Sequence, residues 1–384
     1  MKLYSILLLL LLALPPLARS GAPADGPLPA ALREFEKKLS KSYPIHSTGT
    51  VDISNLYGSI VVRSWDRPEV KMDVRIVTRA NSAEAAEVAW DRIAILFNST
   101  GPERVIGATE IQPERSVSGW LFKSINVNYA IEDTKIYWTV HLPATVNFVS
   151  EARYCNVTLP DLDGRNDLAI KYGNLDAGKL SGNTTIDLSY GNGRVNTLGD
   201  NSSIHLRYGR FDAVQVGDFR YDGRYSRSQI DRAGKLRLDI GYENVTVGRA
   251  TSIYLDGSYN SLTAGEVGEL EIDGNYGSYS IELVTRGVKI DARYGDIEID
   301  RVAAGFEYID IETGYIDVEL KIDPAAGYSV DLETTYGDID MDDSRLANRE
   351  RQREGQTSHL RGTVAGRGNG RVHIETRYGD IEIE

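Results

Sequence analysis

Apolar and polar residues alternate along most of the chain, and the alternation is organised around tyrosines. Ile186 and Leu188 precede Tyr190 at steps of two, and the residues between them are polar. Because successive side chains of a strand point to opposite faces, this pattern predicts a strand with one buried face. The same arrangement precedes Tyr208, Tyr242 and Tyr294. The two-residue step also predicts that these tyrosines point inward, at the edge of the core.

The phase of the pattern changes after each tyrosine. Ile297 and Ile299 follow Tyr294 at odd steps, whereas the apolar residues before it lie at even steps. A chain that keeps its apolar residues inside while shifting phase must turn a corner. We predict that Gly295 and its counterparts form this corner by adopting a positive φ. The Asn or Asp that follows, as in Asp296, is expected to brace the turn.

The tyrosines recur at a nearly constant interval from Tyr154 to Tyr294, and at a slightly wider one through Tyr315 and Tyr336. A period this constant is typical of stacked repeats. It predicts a mainly β fold, a β-solenoid similar to a parallel β-helix, in which each lap of about 17 to 21 residues pairs with the laps above and below. A β-sandwich is the alternative fold. The predicted structural repeat consists of Tyr57, Gly58, Tyr172, Gly173, Tyr190, Gly191, Tyr208, Gly209, Tyr242, Tyr276, Gly277, Tyr294, Gly295, Tyr336, Gly337, Tyr378 and Gly379.

The tyrosines of successive laps are expected to stack ring on ring along one edge. We interpret this column as structural, with a ligand-binding row of tyrosines as the alternative.

Residues 44–150 have a different pattern and are predicted to form a small α+β part before the solenoid at 151–384. The stretch 51–66 has the pattern of one lap set apart from the others. After it come a predicted strand, "EVKMDVRIVTRA", and a predicted helix in "NSAEAAEVAWDRIAILF" with Asn81 and Glu84 at its cap. Two more strands are predicted in "INVNYAIED" and "KIYWTVHLP". Residues 25–43 are predicted to be a linker or a short helix.

The segment 1–24 has the features of a secretory signal peptide. It contains one lysine, followed by an apolar run from Ile6 to Leu14 and then by small residues near Ser20. The run is short for a membrane span, so we expect a secreted, periplasmic or cell-surface protein with no span in the mature chain. Cys155 is the only cysteine, which excludes an intramolecular disulfide.

The segments "YGSIVVRSWDRPEVKMDV", a helix, a strand ending in "HLP" and the serial laps "KYGN", "SYGN" and "RYGD" together resemble a family of secreted bacterial β-strand-repeat proteins. Members of this family are labelled as adhesins or as domains of unknown function. The resemblance implies a β-solenoid located in the cell envelope.

The net charge of −13 argues against a nucleic-acid partner. His46, His141, His205, His359 and His373 show no metal-ligand spacing, and no nucleophile elbow or phosphate-binding loop is present. We therefore predict no catalytic, cofactor or metal residues. Whether the acidic rows bind calcium stays open. The acidic residues after the later tyrosines are expected on exposed strands, where nothing would raise their pKa: Asp296, Glu298, Asp300, Asp338, Asp340 and Asp342.

Three hypotheses for function follow. The first is a non-enzymatic secreted or envelope protein, an adhesin or a rigid binding or spacing surface, with a cell-surface glycan or envelope protein as partner. The second is a sensory or regulatory module that binds a small ligand or peptide at the junction of the two parts. The third is a carbohydrate-active enzyme. The basic insertion at 345–371 either folds back on acidic strands, is disordered, or contacts an anionic partner.

Overall fold

The computed structural model describes residues 32–112 and 134–384, and it confirms the predicted β-solenoid. The strands are β1 (Arg33–Pro44), β2 (Thr50–Ser64), β3 (Glu69–Ala80), β4 (Ile93–Ser99), β5 (Arg104–Ile111), β6 (Thr134–Leu142), β7 (Asn147–Leu159), β8 (Asn166–Lys171), β9 (Leu175–Leu180), β10 (Thr184–Ser189), β11 (Asn192–Leu198), β12 (Ser202–Arg207), β13 (Arg210–Val216), β14 (Phe219–Arg224), β15 (Arg227–Val302), β16 (Tyr308–Ile322), β17 (Ala326–Thr335), β18 (Ile339–Met341), β19 (Leu346–Glu354), β20 (Thr357–Val364), β21 (Arg367–Thr376) and β22 (Ile381–Ile383). The α-helix of the described residues is α1 (Ala83–Trp90).

Each lap of the solenoid contributes one strand to each of two walls, and the strands within a wall pair in parallel. In one wall β8, β10, β12 and β14 pair in that order, and β14 then pairs with β15. In the other wall β9, β11, β13 and β15 pair in the same way. The long strand β15 is a continuous extended segment that runs through several laps. Because each described lap pairs with its neighbours, the unpaired sheet edges among the described strands lie at the two ends of the stack.

The core lies between the two walls and is filled by the apolar residues that the alternation predicted. Ile186, Leu188, Ile204 and Leu206 are fully buried before their tyrosines. The residues predicted inward after the corner, such as Ile297 and Ile299, are buried as well. These side chains belong to one continuous apolar cluster that extends from the N-terminal part to the last strand.

The first lap is β2, within the N-terminal part. β2 pairs in parallel with β7, which is the next lap, and also with β5 and β6. β3 runs antiparallel to β6 and to β1, and β4 runs antiparallel to β5. The N-terminal sheet is therefore continuous with the solenoid walls.

Three details of the N-terminal part differ from the sequence predictions. Residues 33–43, predicted as part of a linker or short helix, belong to strand β1, in which Phe35 and Leu39 are half-buried against β3. The helix is capped by Ser82, whose hydroxyl accepts a hydrogen bond from the Ala85 N–H, instead of by Asn81. The helix also ends at Trp90, so the last residues of the predicted segment belong to β4. The strand predicted in "INVNYAIED" lies outside the described residues.

The C-terminal lap is inserted between two earlier laps. β21 pairs with β16 on one side and with β17 on the other, and β22 lies between β16 and β18. The interval between Tyr336 and Tyr378 is twice the preceding one, which suggested two further steps in chain order. The chain instead turns back after β18 and places its last lap inside the stack.

The basic insertion forms the antiparallel hairpin β19–β20, and β20 pairs antiparallel with β17. Arg361 and His359 lie 3.0 and 2.8 Å from the Asp331 carboxylate, and Arg353 lies 3.6 Å from Asp338. The first of the three hypotheses for this segment, folding back on acidic strands, is thus the one the structure shows. Its charged outer strand covers the end of the stack and disfavours pairing with another chain. Within the described ranges no helix is long and apolar enough to cross a bilayer.

Candidate functional site

Thirteen tyrosine rings of the described residues stack in one uninterrupted row along a corner of the solenoid, and we call this row the tyrosine ladder. Neighbouring ring centroids lie 4.6 to 5.2 Å apart, and neighbouring ring planes are tilted by 1 to 16°. In spatial order the ladder consists of Tyr57, Tyr154, Tyr172, Tyr190, Tyr208, Tyr225, Tyr242, Tyr259, Tyr276, Tyr294, Tyr315, Tyr378 and Tyr336.

The ladder contains every tyrosine of the predicted repeat and four more. Tyr154, Tyr225, Tyr259 and Tyr315 are not followed by glycine, so the Tyr-Gly pair alone does not find them. The signal that does find them is the regular interval between successive tyrosines.

The ladder rings point outward, so the prediction of inward tyrosines was wrong. From Tyr154 onward, the ladder tyrosines expose between 37 and 56% of their surface. Parallel stacking covers the ring faces. The solvent side of the row therefore presents ring edges and hydroxyl groups.

For most ladder tyrosines, the reason for this orientation lies in their own backbone conformation. Ten of them, including Tyr190 (φ 55°) and Tyr336 (φ 68°), adopt the left-handed conformation. One left-handed residue in an extended chain reverses the alternation of side chains. The strand before the corner can thus end on an outward tyrosine while the apolar residues on both sides of the corner stay inside. The prediction that glycine supplies the positive φ is wrong at most corners, although Gly295 does have φ 136°.

The corner glycines are required for a different reason, which is lack of space. A Cβ placed on Gly191 would lie 1.8 Å from the carbonyl oxygen of Gly173, and one on Gly173 would lie 1.8 Å from that of Cys155. Similar contacts of 1.6 to 2.1 Å arise at Gly58, Gly209, Gly295, Gly337 and Gly379. At Gly277 the obstacle is instead the side chain of Tyr279. Glycine therefore lets the backbone of one lap approach the next closely.

The ladder has two opposing energetic contributions. A left-handed non-glycine residue costs about 1 to 2 kcal/mol. A stacked aromatic pair contributes about 0.5 to 1.5 kcal/mol beyond the area that it buries. These two contributions largely cancel, so the ladder stabilises the fold mainly through the ring area that stacking removes from water. Covering the ring faces does not account for the phenol hydroxyl groups, because phenylalanine would stack in the same way.

Polar side chains beside the ladder brace the corners as the sequence predicted. The Asn174 N–H donates to the Asn156 side-chain oxygen (3.0 Å), and the Asn192 N–H donates to that of Asn174 (2.9 Å). In the last laps aspartates replace the asparagines, and the Asp338 N–H donates to the Asp380 carboxylate (2.8 Å). The flank of the ladder therefore changes from neutral to acidic along the stack.

A buried polar cluster interrupts the core near the middle of the ladder. Glu243 follows Tyr242 at the corner position that is glycine in most laps, and it is 1% exposed. Its carboxylate accepts hydrogen bonds from the Tyr221 hydroxyl and from the Ser226 N–H (2.9 Å), and Ser228 donates to Tyr221. Burial raises the pKa of Glu243 to about 7, although these donors act in the opposite direction. Burial likewise raises the pKa of Tyr221.

The inserted C-terminal lap brings together one group of residues that could hold a metal ion. Asp310, Glu312 and His373 each offer one ligand atom, and these atoms lie within 4.8 Å of one another. The sequence did not indicate this group, because His373 meets Asp310 only through the pairing of β21 with β16. Exposed acidic groups of this kind are common without an ion, and we assign no metal site here.

The acidic residues beyond the corners lie where the sequence placed them. Asp296, Glu298, Asp300, Asp338, Asp340 and Asp342 are all exposed. Asp331 lies on β17 and differs from these residues because it contacts the hairpin β19–β20. Burial acts to raise its pKa, but hydrogen bonds from Arg361 and His359 hold the pKa of Asp331 below its usual value.

A shallow groove lies on the outer face of β1, β3, β6 and β2, and all of its lining residues belong to the N-terminal part, whereas the second hypothesis placed a site at the junction with the solenoid. Tyr137, with the Arg75 guanidinium 4.6 Å from its ring centroid, forms part of its floor. Arg75 also pairs with Glu36 at 2.8 Å, and Ser40 donates to Asp73 at 2.6 Å. The polar groups of this groove are thus engaged with one another.

The chain belongs to the Toastrack DUF4097 family, whose profile matches residues 126–384. This confirms the resemblance to a family of β-repeat proteins of unknown function. Among curated proteins, none matches the sequence.

Two solved structures are similar over most of the chain. One is a "putative cell adhesion protein" from Clostridium sporogenes ATCC 15579, with 10% identity, a TM-score of 0.17 and coverage of 92% of this chain and 98% of that one. The other is a "putative lipid binding protein" from Parabacteroides distasonis ATCC 8503, with 10% identity, a TM-score of 0.19 and coverage of 90 and 96%.

Proposed function

We propose that the protein is a non-enzymatic, secreted or cell-envelope β-repeat protein and that the tyrosine ladder is its rigid binding surface, as in an adhesin. The observation that carries this proposal is the exposure of a continuous row of stacked tyrosines, which presents ring edges and hydroxyl groups to solvent. A surface role accounts for a row of hydroxyl groups that stacking alone does not require.

Tyrosine suits such a surface. It presents a large amphipathic side chain with few rotatable bonds, and it is enriched among the residues that dominate binding energies. In the ladder each ring is held between two others, so little conformational entropy is lost when a partner binds. The exposed hydroxyls can both donate and accept hydrogen bonds. This combination suits an extended, hydroxyl-rich or amide-rich partner such as a cell-surface glycan or an envelope protein.

The non-enzymatic part of the proposal is supported by where the perturbed groups lie. Among the described residues, burial raises the pKa most clearly at Glu243, Tyr221, Tyr279 and Cys155, and all four side chains are enclosed in the core. A catalytic group needs access to substrate, which these positions do not provide. The signal-like segment 1–24 supports secretion.

The proposal is tested by immobilising the wild-type protein or a ladder variant and measuring how much glycan or envelope protein each one captures from cell-envelope fractions. Tyr190, Tyr208 and Tyr225 are replaced together by Asn, which tolerates the left-handed conformation that these positions adopt. Loss of a central interface tyrosine typically costs about 2 kcal/mol or more, so we expect capture to fall by more than about tenfold.

The matched control replaces Arg194, Asp212 and Gln229 by Asn. These outward residues belong to the same three laps, on the wall formed by β11, β13 and β15. The control is expected to retain wild-type capture. Equal capture by the ladder variant, or an equal loss in the control, would show that the ladder is not the binding surface.

A further inference from the structure

We propose that the tyrosine ladder is a site of oxidative cross-linking, in which phenol side chains of neighbouring laps are joined as dityrosine by a one-electron oxidant such as a peroxide-activated haem. This inference rests on the geometry of the row and is independent of whether the ladder also binds a partner.

The first requirement for coupling is proximity of the two rings. Consecutive centroids along the ladder are separated by at most 5.2 Å, from Tyr57 at one end to Tyr336 at the other. Seven tyrosines of the described residues lie outside the ladder, and none of them stacks on another tyrosine: Tyr43, Tyr137, Tyr221, Tyr254, Tyr279, Tyr308 and Tyr328. A phenoxyl radical formed on the ladder therefore always has another phenol beside it.

The second requirement is access. An oxidised phenol must release its hydroxyl proton, and the ladder hydroxyls lie on the solvent side of the row, where water accepts it. The outward rings are 37 to 56% exposed from Tyr154 onward, so an oxidant can reach them. The same exposure leaves each ring room to rotate out of the stack when a bond forms between two of them.

The coupling of two phenols to dityrosine is a two-electron oxidation. Two neighbouring phenols each give one electron to the oxidant and one hydroxyl proton to water. The two phenoxyl radicals then join through their ortho carbons, which forms one C–C bond. Each coupled carbon loses its hydrogen as a proton, and each oxygen takes one up, which restores both aromatic rings. The net loss is two electrons and two protons, which reduce one molecule of peroxide to two of water when peroxide is the terminal oxidant.

The ladder also favours coupling over other fates of the radical. All its members are phenols in similar surroundings, so an electron can pass between adjacent rings with little change in free energy. A radical can therefore move along the row until it meets a second one. The product joins residues that are distant in sequence, such as Tyr259 with Tyr276 or Tyr315 with Tyr378. It thus fastens one lap to the next.

The test uses the full-length protein and a photoexcited ruthenium tris-bipyridyl complex with persulfate as the one-electron oxidant. Dityrosine fluorescence gives the yield, and mass spectrometry of peptides cut by trypsin and by a glutamate-specific protease gives the partners; the second protease is needed because no Lys or Arg lies between Tyr259 and Tyr276, whereas Glu266 does. Lys179, for example, lies between Tyr172 and Tyr190, so trypsin places these two tyrosines on separate peptides. We expect cross-links within single molecules between tyrosines of adjacent laps.

Two variants with equal numbers of substitutions separate adjacency from tyrosine content. The alternating variant leaves no two ladder tyrosines side by side and carries Tyr154→Phe, Tyr190→Phe, Tyr225→Phe, Tyr259→Phe, Tyr294→Phe and Tyr378→Phe. The block variant keeps the row from Tyr259 to Tyr336 and carries Tyr154→Phe, Tyr172→Phe, Tyr190→Phe, Tyr208→Phe, Tyr225→Phe and Tyr242→Phe. Phenylalanine preserves the stacked rings in both, and far-ultraviolet circular dichroism checks their fold.

The alternating variant is expected to lose the dityrosine signal. The block variant is expected to retain it, with every cross-link located between Tyr259 and Tyr336. The proposal is overturned if the alternating variant forms as much dityrosine as the block variant, if the cross-links join separate molecules or tyrosines outside the ladder, or if the wild-type protein forms none.

Discussion

Replacing Gly191 by alanine is expected to destabilise the solenoid strongly. The new Cβ would lie 1.8 Å from the Gly173 carbonyl oxygen, which belongs to the backbone of the preceding lap and cannot rotate away. The two laps must then move apart, which disturbs the hydrogen bonds between their strands on both sides of the corner. We expect a loss of about 3 kcal/mol in the free energy of unfolding. Urea denaturation followed by circular dichroism measures it as a lower midpoint.

Gly305→Ala is the matched control for this substitution. No atom lies within 4 Å of a Cβ at Gly305. Alanine there removes conformational freedom from the unfolded chain and is expected to be neutral or slightly stabilising. A Gly191→Ala protein as stable as the Gly305→Ala protein would mean that the laps do not approach as closely as described.

The second large effect is expected at Glu243, as a dependence of stability on pH. Its pKa is raised by burial from 4.5 to about 7. The folded protein therefore keeps the proton over a range in which the unfolded chain releases it. The stability associated with Glu243 is complete below about pH 4.5, falls as the pH rises towards 7, and stays low above it. At about 1.4 kcal/mol per pKa unit, the loss approaches about 3 kcal/mol.

Glu243→Gln is expected to remove this loss between pH 5 and pH 8, because the amide stays neutral and its oxygen can still accept the hydrogen bond from the Ser226 N–H. Urea midpoints at the two pH values measure the difference. The exposed Glu298→Gln substitution serves as control and should keep the wild-type dependence on pH. If the wild-type and Glu243→Gln proteins lose the same stability between pH 5 and pH 8, the pKa of Glu243 is not raised by burial.

The strands and laps could be predicted from the sequence because their signals are local and repeated. Burial of Ile186 and Leu188, and again of Ile297 and Ile299, follows from alternation on each side of the corner. The orientation of Tyr190 could not be predicted in this way. An inward tyrosine followed by a left-handed glycine and an outward left-handed tyrosine both keep the same apolar residues inside. Only the backbone conformation distinguishes the two, and alternation carries no information about it.

The position of the last lap could not be predicted either. The interval from Tyr336 to Tyr378 equals two laps of the spacing that precedes it, so simple continuation of the stack fits the sequence. The hairpin β19–β20 reverses the chain, and β21 then pairs between β16 and β17. That arrangement depends on pairing between distant segments. The approach of His373 to Asp310 has the same origin.

The most direct test of the stacked architecture is a set of distances between spin labels, measured by double electron–electron resonance in a Cys155→Ser background. Labels at Asp187 and Asp291, three residues before Tyr190 and Tyr294, are separated by six laps and are expected about 29 Å apart at about 4.8 Å per lap. From Asp187, Glu375 is expected at about 38 Å and Glu333 at about 43 Å, although Glu333 comes first in sequence. Distances that do not grow lap by lap, or a Glu333 label nearer than a Glu375 label, would contradict the stack on which the tyrosine ladder depends.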